Sequence, residues 1–566
     1  MTAAVASHEL FTKHADTLQR ALTAIAERGY WSAFPESPSP RVYGETAAAT
    51  GEAAFRAYLG KDFPLDQPGT DGWVATESSP FGVPLGVRYP HSSADALIAA
   101  ATAALPAWRD AGPATRAGIC LEILHRLHEH IFELANAVQF TTGQAFVMAF
   151  QAGGAHALDR ALEALAYAYA EQTRHPQSAG WEKPAGKGET LRMTKTFHVV
   201  PRGVALVVGC TTFPTWNSYP GLFASLATGN PVIVKPHPNA VLPLAITVRY
   251  AREVLAEAGF DANLIQLAAE ESGEALASTL ATRPEVRIID FTGSTAYGRW
   301  LEDNARQALV YTEKAGVNTV IVDSTDDFAG MCRNLAFSLS LYSGQMCTTP
   351  QDILVPRDGI ETEAGHRSFD EVAQGIAGAV GKLTSDPARA VELTGAIVNQ
   401  DVLSRIESAR GTGEVLLDSR SLDHPAFPDA VVRTPLLLAV DGAAKAIEGE
   451  WFGPIAFVVA TGSTADSVGL FRRIVGAQGG LTAAVYSTSP QVLDEVERAA
   501  LDVGVHLSQN LTGGVFVNQS AAFSDFHATG ANPAANAALT DGAYVAGRFR
   551  IVQSRRHTGE FDARLR

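Results

Sequence analysis

Apolar positions recur at helical intervals through the first part of the chain. From His8 to about Arg28 the spacing of Leu10, Leu18, Leu22 and Ile25 predicts a helix, and Ala47 to Leu59 a shorter one. Residues 63–90 carry Pro64, Pro68, Gly69, Gly72, Pro80, Gly82, Pro84 and Gly86, which predicts an irregular link rather than one element. Ser93 to Leu105, Arg116 to Phe140 and about Ala155 to Gln172 return to the helical period. Thr190 to Thr196 then alternates with period two, as a strand or hairpin with one wet face does. Beyond Gly203, short apolar runs (Val204 to Val208, Val232 to Val234, Leu264 to Leu267, Val286 to Phe291) alternate with helical patterns at Tyr219 to Ala227 and Leu242 to Ala258. That alternation predicts an α/β domain with a parallel, doubly wound sheet. A second α/β region is expected from Gly316 to about Thr512, and strands around Val515 to Val517 and Phe549 to Val552.

Length and composition widen this to roughly two or three folded domains, since 566 residues with 46% hydrophobic content exceed one ordinary core. A net charge of −16 gives no reason to expect nucleic acid or an anionic membrane as partner. Neither a signal peptide near Met1 nor an apolar run long enough to span a bilayer is legible. Cys120, Cys210, Cys332 and Cys347 are too few for a disulfide scaffold and lack the spacing of a zinc site. A reducing cytoplasm and no metal are therefore expected, with three of the four thiols serving as small buried side chains.

Five segments carry candidate chemistry. Gly344-Gln345-Met346-Cys347 offers a thiol, and Glu313, 34 positions earlier between apolar neighbours, offers a carboxylate held inside. Phe291-Thr292-Gly293-Ser294-Thr295-Ala296-Tyr297-Gly298 follows a strand and opens a helix, whose N-terminal amides suit a pyrophosphate. Lys235 ends a buried strand at its carboxyl side, where open α/β sheets take ligands. Glu450-Trp451-Phe452-Gly453-Pro454 completes the set.

In this order the segments resemble those of the aldehyde dehydrogenase superfamily over roughly residues 92–552, and within it the phenylacetic-acid-degradation branch called PaaN. The resemblance implies a Rossmann-type cofactor domain (residues 81–185 and 200–315), an α/β catalytic domain (316–512) and a small oligomerisation hairpin and tail (186–199 and 513–566), after an N-terminal helical extension and linker (1–80). It also implies that Cys347 adds to an aldehyde, because a carbonyl carbon has no hydride to give until a nucleophile makes it tetrahedral. Glu313 would then activate the water that hydrolyses the thioester. Lys235, Gly293, Ser294, Gly298, Glu450 and Phe452 would hold NAD or NADP. Pro238 stands where many NAD-preferring relatives place a glutamate, which admits NADP and favours it. Thr212 aligns with the oxyanion-hole asparagine of the family, and Asn217 reaches that role only through a rebuilt loop. The branch implies a small-molecule semialdehyde of aromatic catabolism as substrate and at least a homodimer. Two other outcomes stay open: an acylating enzyme in which CoA resolves the thioester, and a catalytically impaired homologue with a binding role.

Overall fold

A computed structural model describes residues 9–271 and 273–559. His8, where the first predicted helix begins, lies outside the described residues; the helix Ala15–Glu27 follows it.

Five parallel strands form the first sheet, in the order Ile265–Leu267, Val232–Lys235, Val204–Val208, Val286–Thr292, Leu309–Glu313. Both faces are covered, which explains why these strands read as apolar runs. Ala205 and Val207 pack into one core with the helices Pro214–Ala227 and Leu242–Glu257. Val204, Leu206 and Val208 pack into another with Ala94–Asp110 and Thr295–Asn304. The chain reverses its direction of winding at Val204–Val208, and the crevice beyond the carboxyl ends of that strand and its neighbour is the usual ligand position of such a sheet.

The second sheet runs Glu414–Leu417, Leu436–Asp441, Ile455–Thr461, Asp352–Pro356, Thr319–Val322, Thr482–Tyr486, His506–Gln509. Its pairings are parallel except at Glu414–Leu417, an antiparallel edge. A third, outlying sheet joins Ser178–Gly186 to Glu189–Pro201 and the latter to Phe549–His557, all antiparallel.

Several expectations need correction. Within 63–90 the strand Thr70–Val74 forms and pairs with Tyr89–Ser92, so the glycine-rich link is partly ordered by pairing with its own end. Arg116 to Phe140 is two helices, Gly112–Glu129 and Ile131–Thr142, meeting at His130. The helix expected near Ala155 starts at Ala157, after the helix Phe146–Phe150 and a π-helical turn, Gln151–His156, whose Gly153 and Gly154 close against Val138 and Ile131. Residues 515–517 form no strand: Val515 is exposed, and Val517 packs into the core under the second sheet. The hairpin begins at Ser178, and its second strand shows no single wet face, because the outlying sheet is partly exposed on both sides. Among the described residues no helix is long and apolar enough to cross a membrane.

Candidate active site

Cys347 sits in the loop that leads into the central strand Asp352–Pro356. Just before it, Tyr342 (φ 52°), Ser343 (φ 49°) and Gly344 (φ 62°) occupy the left-handed region consecutively. For the two non-glycine residues this costs on the order of 1 kcal/mol each or more, so the surroundings must impose it. Ser343 Oγ donates to the carbonyls of Arg433 (2.8 Å) and Thr394 (3.1 Å), the Tyr342 hydroxyl donates to the Thr142 carbonyl, and Gln345 bonds Tyr342 and Ala396. Gly344 is required, since a Cβ there would lie 2.4 Å from the Gly453 carbonyl oxygen. On the other side Asn318 donates to the carbonyls of Cys347 (2.8 Å) and Thr349 (2.9 Å) while accepting from Leu481 N–H, which ties the loop to the sheet. No acceptor among the described residues meets the Cys347 backbone N–H.

Glu313 ends the last strand of the first sheet and faces this thiol. Its Oε1 accepts from Asn217 Nδ2 (3.3 Å), and its Oε2 lies 3.1 Å from His527 Nε2. Cys347 Sγ, a Glu313 oxygen and a His527 ring nitrogen lie within 4.8 Å of one another. Burial alone would raise the Glu313 carboxyl, but the His527 charge and the hydrogen bonds from His527, Cys347 and Asn217 outweigh it and hold the group below its ordinary value. Burial first, then the adjacent Glu313 charge, push the Cys347 thiol well above the usual thiol range. The resting pair is thus a thiol beside a carboxylate.

Two cavities meet here. The first, about 570 Å³, runs from Cys347 along the carboxyl edge of the first sheet, and Lys235, Gly293, Ser294, Glu313, Glu450 and Phe452 line it together with Thr212. Ser294 caps the helix Thr295–Asn304 by accepting from Tyr297 N–H. Gly298, expected to contact a cofactor, instead packs inside the helix, where a Cβ would lie 2.6 Å from Lys314 Cγ; Lys314 in turn is fixed by Glu302 at 2.7 Å. Burial pushes the Glu450 carboxyl up to about 7, opposed by Arg405 and by the Gly316 N–H. Lys235 forms an ion pair with buried Glu270, and Glu274 also lines this cavity. Burial and the Lys235 charge push His237 down to about 4. Thr212 Oγ1 points to Cys210 Sγ at 4.0 Å, and Asn217 is engaged with Glu313. Cys210, expected as a passive buried thiol, lines this cavity.

The second cavity, about 620 Å³, opens on the opposite side of the thiol. Phe213, Asn217 and Cys347 stand in both walls. The second wall is completed by Trp31 from the N-terminal extension, Met148 before the π-helical turn, and His527 from the stretch 513–566. His527 and Trp31 were not singled out from sequence; both sit in stretches without apolar periodicity.

Residues 88–530 match the aldehyde dehydrogenase family. A solved structure described as an NAD-dependent aldehyde dehydrogenase from Burkholderia multivorans is 64% identical, with a TM-score of 0.96 over 98% of this chain and 99% of that one. The 1-pyrroline-5-carboxylate dehydrogenase of Geobacillus thermodenitrificans is 25% identical over 61% of this chain, which thereby spans 64% of that relative's length. The N-succinylglutamate 5-semialdehyde dehydrogenase of Chromobacterium violaceum is 28% identical over 77% of this chain and 84% of its own.

Proposed function

The chain belongs to the aldehyde dehydrogenase family, and on that premise we propose that it oxidises an aldehyde to the carboxylic acid, with Cys347 as nucleophile, Glu313 as base and a nicotinamide dinucleotide as hydride acceptor. The observation that carries this reading is the position of Cys347, its Sγ within 4.8 Å of a Glu313 carboxylate oxygen, where two cavities meet.

Cys347 Sγ bonds to the carbonyl carbon as its proton passes to Glu313, whose carboxylate lies within 4.8 Å of the thiol. The charge that develops on the substrate oxygen is met by the Cys347 backbone N–H and the Thr212 hydroxyl. A dinucleotide held by Lys235, Gly293, Ser294, Glu450 and Phe452 would supply the hydride acceptor, and loss of hydride from the tetrahedral carbon leaves a thioester on Cys347. Glu313, held from two sides by Asn217 and His527, releases the thiol proton to solvent. It then takes a proton from water as the water oxygen bonds to the acyl carbon and the C–S bond breaks, and returns it to the departing Cys347 thiolate. Aldehyde, water and oxidised dinucleotide thus give acid, reduced dinucleotide and one proton.

The first cavity fits a dinucleotide. Its bare glycine turn at Gly293, where a Cβ would lie 2.8 Å from the Phe291 ring, precedes a capped helix N-terminus suited to pyrophosphate. Lys235 stands at the ribose position, and Glu450 with Phe452 near the thiol. The expectation that Pro238 favours NADP weakens here: Glu270 sits against Lys235 and supplies from another strand end the carboxylate that Pro238 lacks. We therefore assign NAD as the preferred cofactor.

For substrate we propose an aldehyde of aromatic catabolism, a semialdehyde formed after ring opening of CoA-linked phenylacetate as in the phenylacetic-acid-degradation branch. The apolar lining of the second cavity, without lysine or arginine among the described residues, supports a semialdehyde whose acid end is masked as the thioester. A cytoplasmic homodimer joined through the outlying sheet is proposed with it; Leu191, Ile551 and Val552 are exposed there, and sedimentation showing only monomer would refute it. The decisive assay follows cofactor reduction over a panel of aldehydes with NAD and NADP, each with and without CoA. Reduction without CoA, abolished by Cys347→Ala, is expected. An absolute requirement for CoA would replace hydrolysis by acyl transfer, and no reduction under any condition would leave a binding role.

A further inference from the structure

The second cavity has a wall that the family match does not include. Tyr30, Trp31, Ser32 and Glu36 line it, yet the match begins at residue 88. This segment is not a loose tail. The helix Ala15–Glu27 ends at Arg28, whose guanidinium donates to Glu163 Oε1 (3.1 Å) and to the Tyr167 hydroxyl (3.0 Å) and lies 3.8 Å over the Phe526 ring. Ser32 Oγ and Ala33 N–H both donate to Asp159, at 2.6 and 2.9 Å. Asp159 is buried on the helix that follows the π-helical turn. Trp31 packs on Phe523 at 4.7 Å between ring centres, and Glu36 pairs with His156 at 2.7 Å. These anchors tie the segment to the helix Ala157–Thr173 with the turn before it and to Phe523 and Phe526, so it is a fixed part of the wall of the cavity that Cys347 also lines.

Its chemistry is one-sided. Trp31, Trp216, Phe337, Leu341, Met346 and Phe516 supply apolar surface. The acids are Glu36, Glu392 and Asp525, together with Asp159, whose carboxyl burial pushes up to about 7 against its bonds from Ser32 and Ala33; His156 and His527 are already bonded to Glu36 and Glu313. No lysine or arginine lines the cavity among the described residues. A carboxylate carried into this space would lose its water, find no lysine or arginine, meet two histidines already bonded to carboxylates and face these acids, an arrangement that works against an anionic substrate.

Resting on the aldehyde dehydrogenase reading, we propose that residues 30–36 form the specificity wall of the aldehyde cavity, which takes aldehydes with an uncharged, apolar body and disfavours those with a carboxylate near the reacting carbon. Trp31 supplies the flat surface and Glu36 the negative rim.

The test compares kcat/KM of the full chain for phenylacetaldehyde, propanal, pentanal and glutarate semialdehyde. Trp31→Ala is expected to lower the phenylacetaldehyde-to-propanal ratio by about tenfold, and Trp31→Phe to restore most of it. Glu36→Lys, on a half-exposed side chain, is expected to raise the glutarate semialdehyde-to-pentanal ratio by about threefold. Ratios are the readout because a merely structural loss at Trp31 would scale all substrates alike, and thermal melts identify such a loss. Unchanged ratios in folded variants that still work through Cys347 would overturn the wall and leave the reading intact. Wild-type protein that reduces no cofactor with any aldehyde would take down the reading and the wall together.

Discussion

The two cavities that meet at Cys347 are built on different principles. The first hangs on the carboxyl edge of one parallel sheet: Lys235, Gly293 and Glu313 each terminate or follow a strand, so the sheet itself brings them into line. The second has no such frame. Its wall is assembled from an N-terminal turn, a π-helical turn, the flank of the cysteine loop and the stretch 514–527, held by side-chain bonds such as Ser32 to Asp159 and His527 to Glu313. A backbone-framed cavity tolerates changes of side chain that a side-chain-framed one does not. Cofactor binding should therefore survive many substitutions that alter aldehyde turnover.

Glu313 gives the largest expected effect, because it belongs to the first wall and acts on the thiol between the two. Glu313→Gln should lower steady-state turnover by about a hundredfold or more, the usual weight of a positioned base. Alkylation of Cys347 by iodoacetamide should respond in the opposite direction. The thiol is held high by burial and next by the Glu313 charge, so removing that charge lowers its pKa, and alkylation at pH 8 becomes faster with its pH profile displaced downward. Slower alkylation in the variant would mean that taking the thiol proton, the step assigned to Glu313 in the addition, outweighs the effect of its charge, and the expected direction would be overturned.

Thr212→Ala comes next. If the hydroxyl meets the oxyanion, kcat should fall by about a hundredfold with the Kd for NAD unchanged. An unaltered kcat would move that role to the Cys347 N–H alone, consistent with a hydroxyl that points at rest to Cys210.

These variants also mark how far the sequence could be read. The four strands from Val204 to Phe291 with the helices Pro214–Ala227 and Leu242–Glu257, the place of Lys235 and the 34-residue step from Glu313 to Cys347 were legible, because a parallel sheet forces apolar runs and puts ligand residues at their ends. Glu270 was not legible, although it lies three residues past the strand Ile265–Leu267, since only the folded edge brings it to Lys235. The stretch 513–566 was expected to serve assembly; its strand Phe549–His557 does pair with the hairpin, but His527 folds back onto Glu313. Trp31 lay in an extension with no readable purpose. No periodicity marks either residue, because neither belongs to a repeating face.

His527 sharpens the comparison from the second wall. It touches Glu313 from that side, edge-on to Trp216 at 4.7 Å, while Asn217 holds the other carboxylate oxygen. As a positioning residue for the water step, His527→Ala should leave hydride transfer nearly intact and slow thioester hydrolysis by about tenfold. Rapid mixing would then show a burst of about one reduced cofactor per site before a slow steady rate, and His527→Gln, which can still donate to Glu313, should shorten the slow phase. A loss of the burst itself would place His527 in the first half-reaction.

The smallest effect tests the framed side. Glu270 is buried against Lys235, and its charge opposes a 2′-phosphate while offering acceptors to a 2′-hydroxyl. Glu270→Gln keeps the shape and removes the charge, so the NADP-to-NAD ratio of kcat/KM should rise by about tenfold, mostly through KM, a shift on the scale of one interaction near 1.4 kcal/mol. Since Lys235 would lose its partner, its freed ammonium adds to the attraction for the phosphate. If the ratio stayed put while Trp31→Ala still altered aldehyde choice, the contrast drawn between the cavities would hold, but cofactor choice would rest with the backbone edge rather than with Glu270.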